Sequence, residues 1–169
     1  MSNAVEAWLE KETLASNVSR GLISGVLGGL AGVAVKSLIE RFLPVRQPDT
    51  RSAQLKIVDD LSLKITGEKV SESNKALAEQ LVNIPMGASL GATYGYARRD
   101  EEETDLLSGA VFGATTWIGT HETSLPLLGL KDDPTEIPLH LQANELLAHL
   151  AFGVTTELVR GYIARQLKE

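Results

Sequence analysis

The chain has 169 residues, no cysteine and a formal net charge of −6, from 16 Lys and Arg against 22 Asp and Glu. The length suits one domain with a sizeable core, so residues 1–169 are predicted to form a single domain. The acidic balance argues against a nucleic-acid partner, which usually meets a basic face. The absence of cysteine excludes disulfide frameworks, thiolate metal sites and cysteine nucleophiles.

Four apolar blocks run along the chain and are separated by polar stretches. They cover residues 21–43, 80–97, 105–119 and 141–166. The runs are longer than ordinary strands and lack strand alternation, so we expect long helices. Asp105 is expected to cap the third of them. Residues 1–20 are polar and predict at most a short amphipathic helix.

Residues 44–79 are predicted to be a polar connecting segment between the first two blocks. Pro44 and Pro48 break the chain at its start. Apolar residues then recur every three or four positions, which predicts one amphipathic surface helix through Leu55, Val58, Leu61 and Ile65. The predicted architecture is therefore an all-α bundle of four long helices with one or two short amphipathic helices.

Glycines recur four residues apart in three of the blocks. The stripes are Gly21, Gly25 and Gly29; Gly87, Gly91 and Gly95; and Gly109 and Gly113. Between charges the blocks are shorter than the roughly 20 residues of a spanning helix, so hydropathy alone leaves a soluble bundle open. In a water-exposed helix each Gly costs about 0.8–1.0 kcal/mol relative to Ala, whereas in a membrane small residues let helix backbones approach closely. The stripes favour a membrane-embedded bundle, in which the first stripe meets another helix.

The stretch from Trp117 to Arg160 carries a distinctive spacing of polar residues. A histidine precedes a Pro-Leu-x-Gly-Leu turn, and the next helix holds Glu-x-x-x-His-Leu and then Glu-x-x-Arg. The residues concerned are His121, Pro126, Leu127, Gly129, Leu130, Glu145, His149, Leu150, Glu157 and Arg160. This pattern resembles the YagU-like family of bacterial inner-membrane proteins of unknown function. The resemblance implies a multi-pass protein of the bacterial inner membrane, surrounded by lipid and without known catalysis.

The ionisable residues inside the apolar blocks form the candidate site. A charge near the bilayer centre costs at least about 2.5–3.5 kcal/mol, so these groups should turn inward, pair or lie near the interface. We expect His149 to contact His121 or Glu122, since a short connection makes their helices antiparallel neighbours. The candidate polar or ion site comprises His121, Glu122, Glu145, His149 and Glu157, and the predicted helix-end ion pairs involve Lys36, Glu40, Arg41 and Arg160.

The leading functional hypothesis is a structural or accessory role through helix packing, as a homo-oligomer or with a partner membrane protein. No Gly-x-Ser-x-Gly elbow is present, and no catalysis is evident. The first alternative is proton or ion handling by the buried His and Glu residues, because His titrates near neutral pH. The second is a soluble helical bundle whose His and Glu side chains bind a metal ion. No other cofactor is expected.

Overall fold

A computed structural model of the protein describes residues 3–48, 50–101 and 103–168, and these ranges contain helices and turns but no strand. The prediction of an all-α fold is confirmed. The elements in chain order are α1 (Asn3–Phe42), α2 (Ala53–Thr66), a 3₁₀ turn (Glu72–Asn74), α3 (Lys75–Ala97), α4 (Leu106–Gly119), a π-helix (Thr120–Ser124), α5 (Leu125–Leu127), a 3₁₀ turn (Pro134–Glu136) and α6 (Leu139–Gln166). The predicted surface helix within residues 44–79 is α2, and the four long helices are α1, α3, α4 and α6.

The first helix is one element of 40 residues, which corrects the prediction of a separate short helix before residue 21. Met1 and Ser2 lie outside the described residues. The polar first half contains no proline, and polarity alone does not end a helix when good helix formers continue. The helix ends at Phe42 because Pro44 lacks a backbone N–H and disfavours helical geometry at the residue before it.

Short polar signals fix the ends of the smaller helices. Ser52 caps α2, since its hydroxyl accepts a hydrogen bond of 3.2 Å from the backbone N–H of Leu55. Gly67 ends α2 at a φ of 79°, a left-handed conformation that favours glycine. Asp105 caps α4 as predicted, accepting from the N–H of Leu107 at 3.0 Å. The hydrogen bond from the Ser108 hydroxyl to Asp105 lowers the pKa of that carboxyl below its ordinary value.

Glycines bring the backbones of α1 and α3 into direct contact. A Cβ placed on Gly21 would lie 2.6 Å from the carbonyl oxygen of Gly95, and one on Gly25 would lie 2.9 Å from its Cα. A Cβ on Gly29 would lie 2.9 Å from the Cα of Gly91. The two helices are therefore antiparallel, with no side chain between them along this seam. The prediction that the first glycine stripe meets another helix is confirmed.

Helix α6 packs against both α1 and α4. The third predicted stripe, Gly109 and Gly113 of α4, packs against α6, where a Cβ on Gly153 would approach the backbone N of Gly113 to 2.5 Å. A second glycine face of α1 also meets α6, at Gly28 and Gly32. Neither of these two belongs to a predicted stripe. Each of the two helices at the centre of the bundle, α1 and α6, thus has two close neighbours.

Polar side chains lie inside this bundle, whereas large apolar side chains lie on its outside. Ordinary water-soluble domains bury few charged groups. The buried polar residues include Ser24, Thr156 and Glu157, each 0% exposed, Arg160 at 1% and His149 at 3%. The exposed apolar residues include Leu27 at 43%, Leu81 at 62%, Leu107 at 71%, Val111 at 56% and Leu158 at 48%. In the described part of the chain, one helix, over Lys11–Phe42, is long and apolar enough to cross a membrane.

Candidate functional site

The π-helix after α4 turns His121 into the bundle. In this element the backbone N–H of Leu125 bonds to the carbonyl of Thr120, five residues earlier, and the Thr123 hydroxyl bonds to the carbonyl of Ile118. The wider turn carries His121, which is 9% exposed, towards α6. Isolated π-turns inside helices occur frequently at functional sites. The sequence pattern gave no signal for this element.

Glu145 of α6 is the centre of the polar cluster at this end of the bundle. One carboxylate oxygen lies 2.8 Å from Nδ1 of His121. The other accepts from Nζ of Lys131 at 2.6 Å and from the indole N–H of Trp117 at 3.2 Å. Glu145 is 5% exposed, so these contacts replace the water that a buried carboxylate loses. Lys131 and Trp117 were missed among the site residues, because a loop lysine and a helix-end tryptophan look like surface residues in the sequence.

His149 lies beside His121, which confirms the predicted contact between the two histidines. The ring centroids are 4.8 Å apart in an edge-to-face arrangement. Nδ1 of His149 is 2.8 Å from the backbone carbonyl oxygen of Glu145. Because a carbonyl can only accept, Nδ1 carries the proton, and a neutral imidazole then has its lone pair on Nε2. Glu122 lies near Lys131 instead, with a carboxylate oxygen 3.8 Å from Nζ of that lysine.

Two clefts meet at His121. The inner cleft holds about 420 Å³ of space between α1, α3, α4 and α6, and its polar lining is Lys36, Gln54, Asn83, Thr116, Thr120, His121 and His149. The outer cleft holds about 580 Å³ and opens among the residues that follow α1 and those of the α5–α6 loop. Gln54 and His121 line both clefts, so the two spaces adjoin. The described residues include no group of three or more His, Asp or Glu side chains arranged to hold a metal ion.

Glu157 lies in a separate cluster at the opposite end of the bundle, which corrects its grouping with the two histidines. Twelve residues of α6 separate it from Glu145, about 18 Å along the helix at 1.5 Å per residue. Its carboxylate receives two bonds from Arg160, of 2.6 Å from Nε and 2.8 Å from Nη2. The backbone N–H of Asp105 and the guanidinium of Arg98 also contact it.

Arg160 ties this cluster to the turn between α3 and α4. Its Nη1 donates to the carbonyl of Glu101 at 3.2 Å, in addition to the bonds with Glu157. The Glu157 and Arg160 side chains are almost completely buried, and their paired hydrogen bonds hold α6 against the turn between α3 and α4. Among the other predicted ion pairs, Lys36 contacts Glu40 at 2.5 Å. Arg41 is exposed and has no ion-pair partner within the described ranges.

Comparisons with known proteins identify a family and nothing more specific. No curated protein and no solved structure matches the chain. A family model described as "Protein of unknown function (DUF1440)" matches residues 30–158. The match extends from the second half of α1 through most of α6 and includes Glu145, His149 and Glu157, while Arg160 lies just beyond it. The chain therefore belongs to this family of uncharacterised proteins.

Proposed function

We propose that the protein is an integral helical protein of the bacterial inner membrane, with a structural or accessory role through helix packing. In this proposal α1, α3, α4 with its π-helix and α5, and α6 each cross the bilayer. The observation that carries it is the placement of charged side chains inside the bundle and of large apolar side chains outside. The YagU-like resemblance between Trp117 and Arg160 supports the same location.

The exposed faces of the helices fit lipid better than water. Helix α6 holds Glu145, Glu157 and Arg160, all buried, while Leu147 and Leu158 are 48% exposed. In water, an apolar side chain that stays exposed loses about 25 cal/mol of hydrophobic stabilisation for each Å² of apolar surface that is not buried. In lipid the same faces are favourable, and the inward charges avoid a penalty of several kcal/mol each. These inward charges also lower the mean hydropathy of α6, although none of them faces outward.

Helix lengths and seams agree with a bilayer. The segment Leu106–Leu127 is continuously helical over 22 residues, about 33 Å long at 1.5 Å per residue. The hydrocarbon core of a bilayer is about 30 Å thick. Lipid tails give no hydrophobic drive for helix association, so close van der Waals contact between backbones supports it instead. The glycine seams of α1 with α3 and of α4 with α6 provide such contact.

Membrane fractionation followed by cysteine labelling tests this proposal. The protein is expected to stay in the pellet after alkaline carbonate extraction, while a peripheral protein of the same cells is released. Because the chain has no native cysteine, Val111→Cys and Leu158→Cys provide single probes on the outer faces of α4 and α6. Both should resist a water-soluble maleimide in intact membranes, because a thiol in lipid does not ionise, and both should react with it after unfolding in detergent. Release by carbonate would contradict membrane insertion. Labelling by the water-soluble reagent in intact membranes would contradict the proposal that α4 and α6 cross the bilayer.

The role through packing requires association beyond the single chain. Native electrophoresis of detergent extracts should place the protein above its own mass of 18.2 kDa plus detergent. Identification of the band by mass spectrometry separates a homo-oligomer from a complex with another membrane protein. A monomer under these conditions would contradict the accessory role while leaving the membrane location intact.

Proton handling is the second candidate, favoured by the contact of His121 with both Glu145 and His149. Imidazole is the side chain whose ordinary pKa lies nearest neutrality, and two adjoining rings provide neighbouring proton acceptors. Vesicles containing the purified protein and a pH-sensitive dye would test this candidate. An imposed proton gradient should decay faster with the wild type than with His149→Gln. Equal decay rates would exclude it.

A further inference from the structure

The inner cleft reaches His149, which is 3% exposed and uses one of its two ring nitrogens within the described part of the chain. Nδ1 is bonded to the backbone carbonyl of Glu145, and Nε2 has no protein partner. The amides of Gln54 and Asn83 line the same space, are partly exposed and also lack protein partners among the described residues. Buried polar groups are nearly always hydrogen-bonded in folded proteins. These groups therefore need partners that enter the cleft from outside.

The chemistry of the lining identifies these partners as water. Thr116 and Thr120 add hydroxyl groups, and Lys36 adds an ammonium that Glu40 already pairs. A buried water typically makes about three hydrogen bonds and occupies polar sites of this kind. A lipid acyl chain would instead leave the amides and the imidazole without partners in an apolar surrounding, which is unfavourable. Ionisable side chains within spanning helices almost always face the bundle interior or a water-filled cavity, and the lining of the inner cleft fits the second case.

Bulk water reaches the inner cleft through the outer cleft. Gln54 and His121 line both spaces, and the outer cleft opens among residues 45–56 and 130–132. The charged side chains there include Arg46, Arg51 and Lys131, each paired with a carboxylate, so the entrance is polar without a free charge at these three positions. The entrance lies at the end of the bundle where α1 ends and α6 begins.

Three aromatic rings close the inner cleft at its other end. Phe152 of α6 forms part of the lining. Its ring centroid lies 5.6 Å from that of Phe112 on α4, which stacks at 4.3 Å on Tyr94 of α3. On each of these three helices the aromatic residue separates the lining of the inner cleft from the polar cluster at the opposite end of the bundle. The aromatic layer thus divides the interior into two polar compartments.

We infer that the inner cleft is a water-filled inlet, open to one side of the membrane only, which connects His149 to the aqueous phase at the outer cleft. The inference rests on the proposed membrane location and specifies the side from which the proton-handling candidate takes up protons. His149 lies ten residues, about 15 Å, after the first residue of α6, so water that reaches it penetrates about half of the 30 Å hydrocarbon core. Water at Nε2 completes the hydrogen bonding of the ring and can exchange protons with it. The aromatic layer prevents the same exchange from the opposite side.

Silver ions test the inlet, because they are close to water in size and react with ionised thiols, which form in contact with water. Pairs of neighbouring residues provide single-cysteine variants: Thr116→Cys and Asn83→Cys in the inner cleft, and Thr115→Cys and Ile84→Cys on the outer faces of α4 and α3. In sealed membrane vesicles, silver should block the cleft cysteines about tenfold or more faster than their neighbours. Maleimide labelling after unfolding in detergent measures the thiols that remain free.

Two reference positions identify the side of entry. Gln47→Cys lies at the outer cleft, and Glu103→Cys lies in the turn between α3 and α4 at the opposite end. Silver should reach Thr116→Cys from the side at which Gln47→Cys reacts, and not from the side at which Glu103→Cys reacts. Adding Gln54→Phe should slow the reaction of Thr116→Cys, because residue 54 lines both clefts, and should leave the reaction of Gln47→Cys unchanged.

The possible outcomes separate the inlet from the membrane location. Fast reaction of both cleft variants from the side of Gln47→Cys alone, with slow reaction of both neighbours, supports the inlet. Slow reaction at all four positions overturns the inlet and leaves the membrane location intact. Equal reaction of Thr116→Cys from both sides overturns the one-sided opening, and a rate that Gln54→Phe does not change overturns the entrance through the outer cleft. Fast reaction at all four positions contradicts the crossing of the bilayer by α3 and α4, and the inlet fails with it.

Discussion

Replacing Gly91 with Ala should weaken the contact between α1 and α3, although Ala is the better helix former. The substitution gains about 0.8–1.0 kcal/mol of helix propensity. A Cβ on Gly91 would, however, lie 2.7 Å from the Cα and 2.8 Å from the N of Gly29, and would overlap the carbonyl oxygen of Gly25. These are backbone atoms that cannot rotate away. The helices must therefore separate by about 1 Å to reach the ordinary contact distance of about 3.5–4.0 Å.

The expected magnitude follows from these opposing effects. Overpacking of this kind costs about 1–3 kcal/mol. Subtracting the gain in propensity leaves a net loss of up to about 2 kcal/mol for Gly91→Ala. Gly91→Leu places three further carbon atoms in the seam and should prevent α1 and α3 from associating. Gly119→Ala is the matched control, because a Cβ there meets no atom within 4 Å. It should stabilise the protein by about the full propensity gain.

Unfolding of the four proteins in the same detergent, by heat or denaturant, provides the measurement. The expected order of stability is Gly119→Ala, wild type, Gly91→Ala and Gly91→Leu, from highest to lowest. The two alanine variants change the same atoms, so their difference isolates the contact across the seam. If Gly91→Ala proves as stable as Gly119→Ala, the backbone contact between α1 and α3 does not limit stability and the reasoning fails.

Three further predictions concern the Glu157–Arg160 ion pair, the burial of one face of α1 and the Asp105 cap of α4. Glu157→Met should destabilise the protein by about 3–5 kcal/mol, because it leaves Arg160 buried without a counter-charge. Adding Arg160→Met should restore much of that loss. Denaturant unfolding measures both effects. A carbene reagent that is photoactivated within the lipid should modify Leu27, which is 43% exposed, and spare Ser24, which is 0% exposed, as read by mass spectrometry of peptides. Since the folded-state pKa of Asp105 is lowered, its cap should stabilise α4 above about pH 4 and lose that effect as the pH falls through the lowered pKa. Unfolding curves at falling pH should show less acid sensitivity for Asp105→Asn, which keeps a capping oxygen.

Each of these predictions has a result that contradicts it. A double variant no more stable than Glu157→Met would mean that the unpaired charge of Arg160 is not the source of the loss. Equal labelling at positions 24 and 27 would place the face of α1 that carries Ser24 in contact with lipid. Wild-type acid sensitivity in Asp105→Asn would mean that the titration of this carboxyl does not contribute to stability.

Glycine spacing predicted the seams because residues four apart share a helix face whatever the partner is. The spacing could not identify the partner, which depends on the connections between helices. It also missed the second glycine face of α1, since Gly28 and Gly32 are displaced by three residues from Gly25 and Gly29, about 60° away around the helix. The length of the N-terminal helix was missed for a different reason: the change from polar to apolar composition near residue 20 predicted a boundary there, although a change in polarity alone does not end a helix.

The candidate site was predicted in part. Glu145 and His149 are one helical turn apart in the sequence, so their common face followed directly, and a short connection placed His121 nearby. Lys131 could not be predicted, because it is brought to Glu145 by the loop after α5, where Gly129 adopts a φ of 68°. The separation of Glu157 depends on distance along α6. The four-residue spacing shows that Glu145, His149 and Glu157 share a face of α6, but it does not show that Glu157 is too far along the helix to contact the histidines.

The π-helix makes this cluster sensitive to chain length as well as to residue identity. A five-residue turn contains one residue more than the regular bonding pattern uses, so deleting Thr123 would restore an uninterrupted α-helix. Because five residues of the wide turn cover about the rotation of four α-helical residues, those after the deletion would keep their direction around the axis. Pro126 and the loop that returns Lys131 would still leave from the same side of the helix. A deletion that removes no member of the cluster would thus keep Lys131 at Glu145 and withdraw His121 from it, which point substitutions at exposed positions nearby would not do.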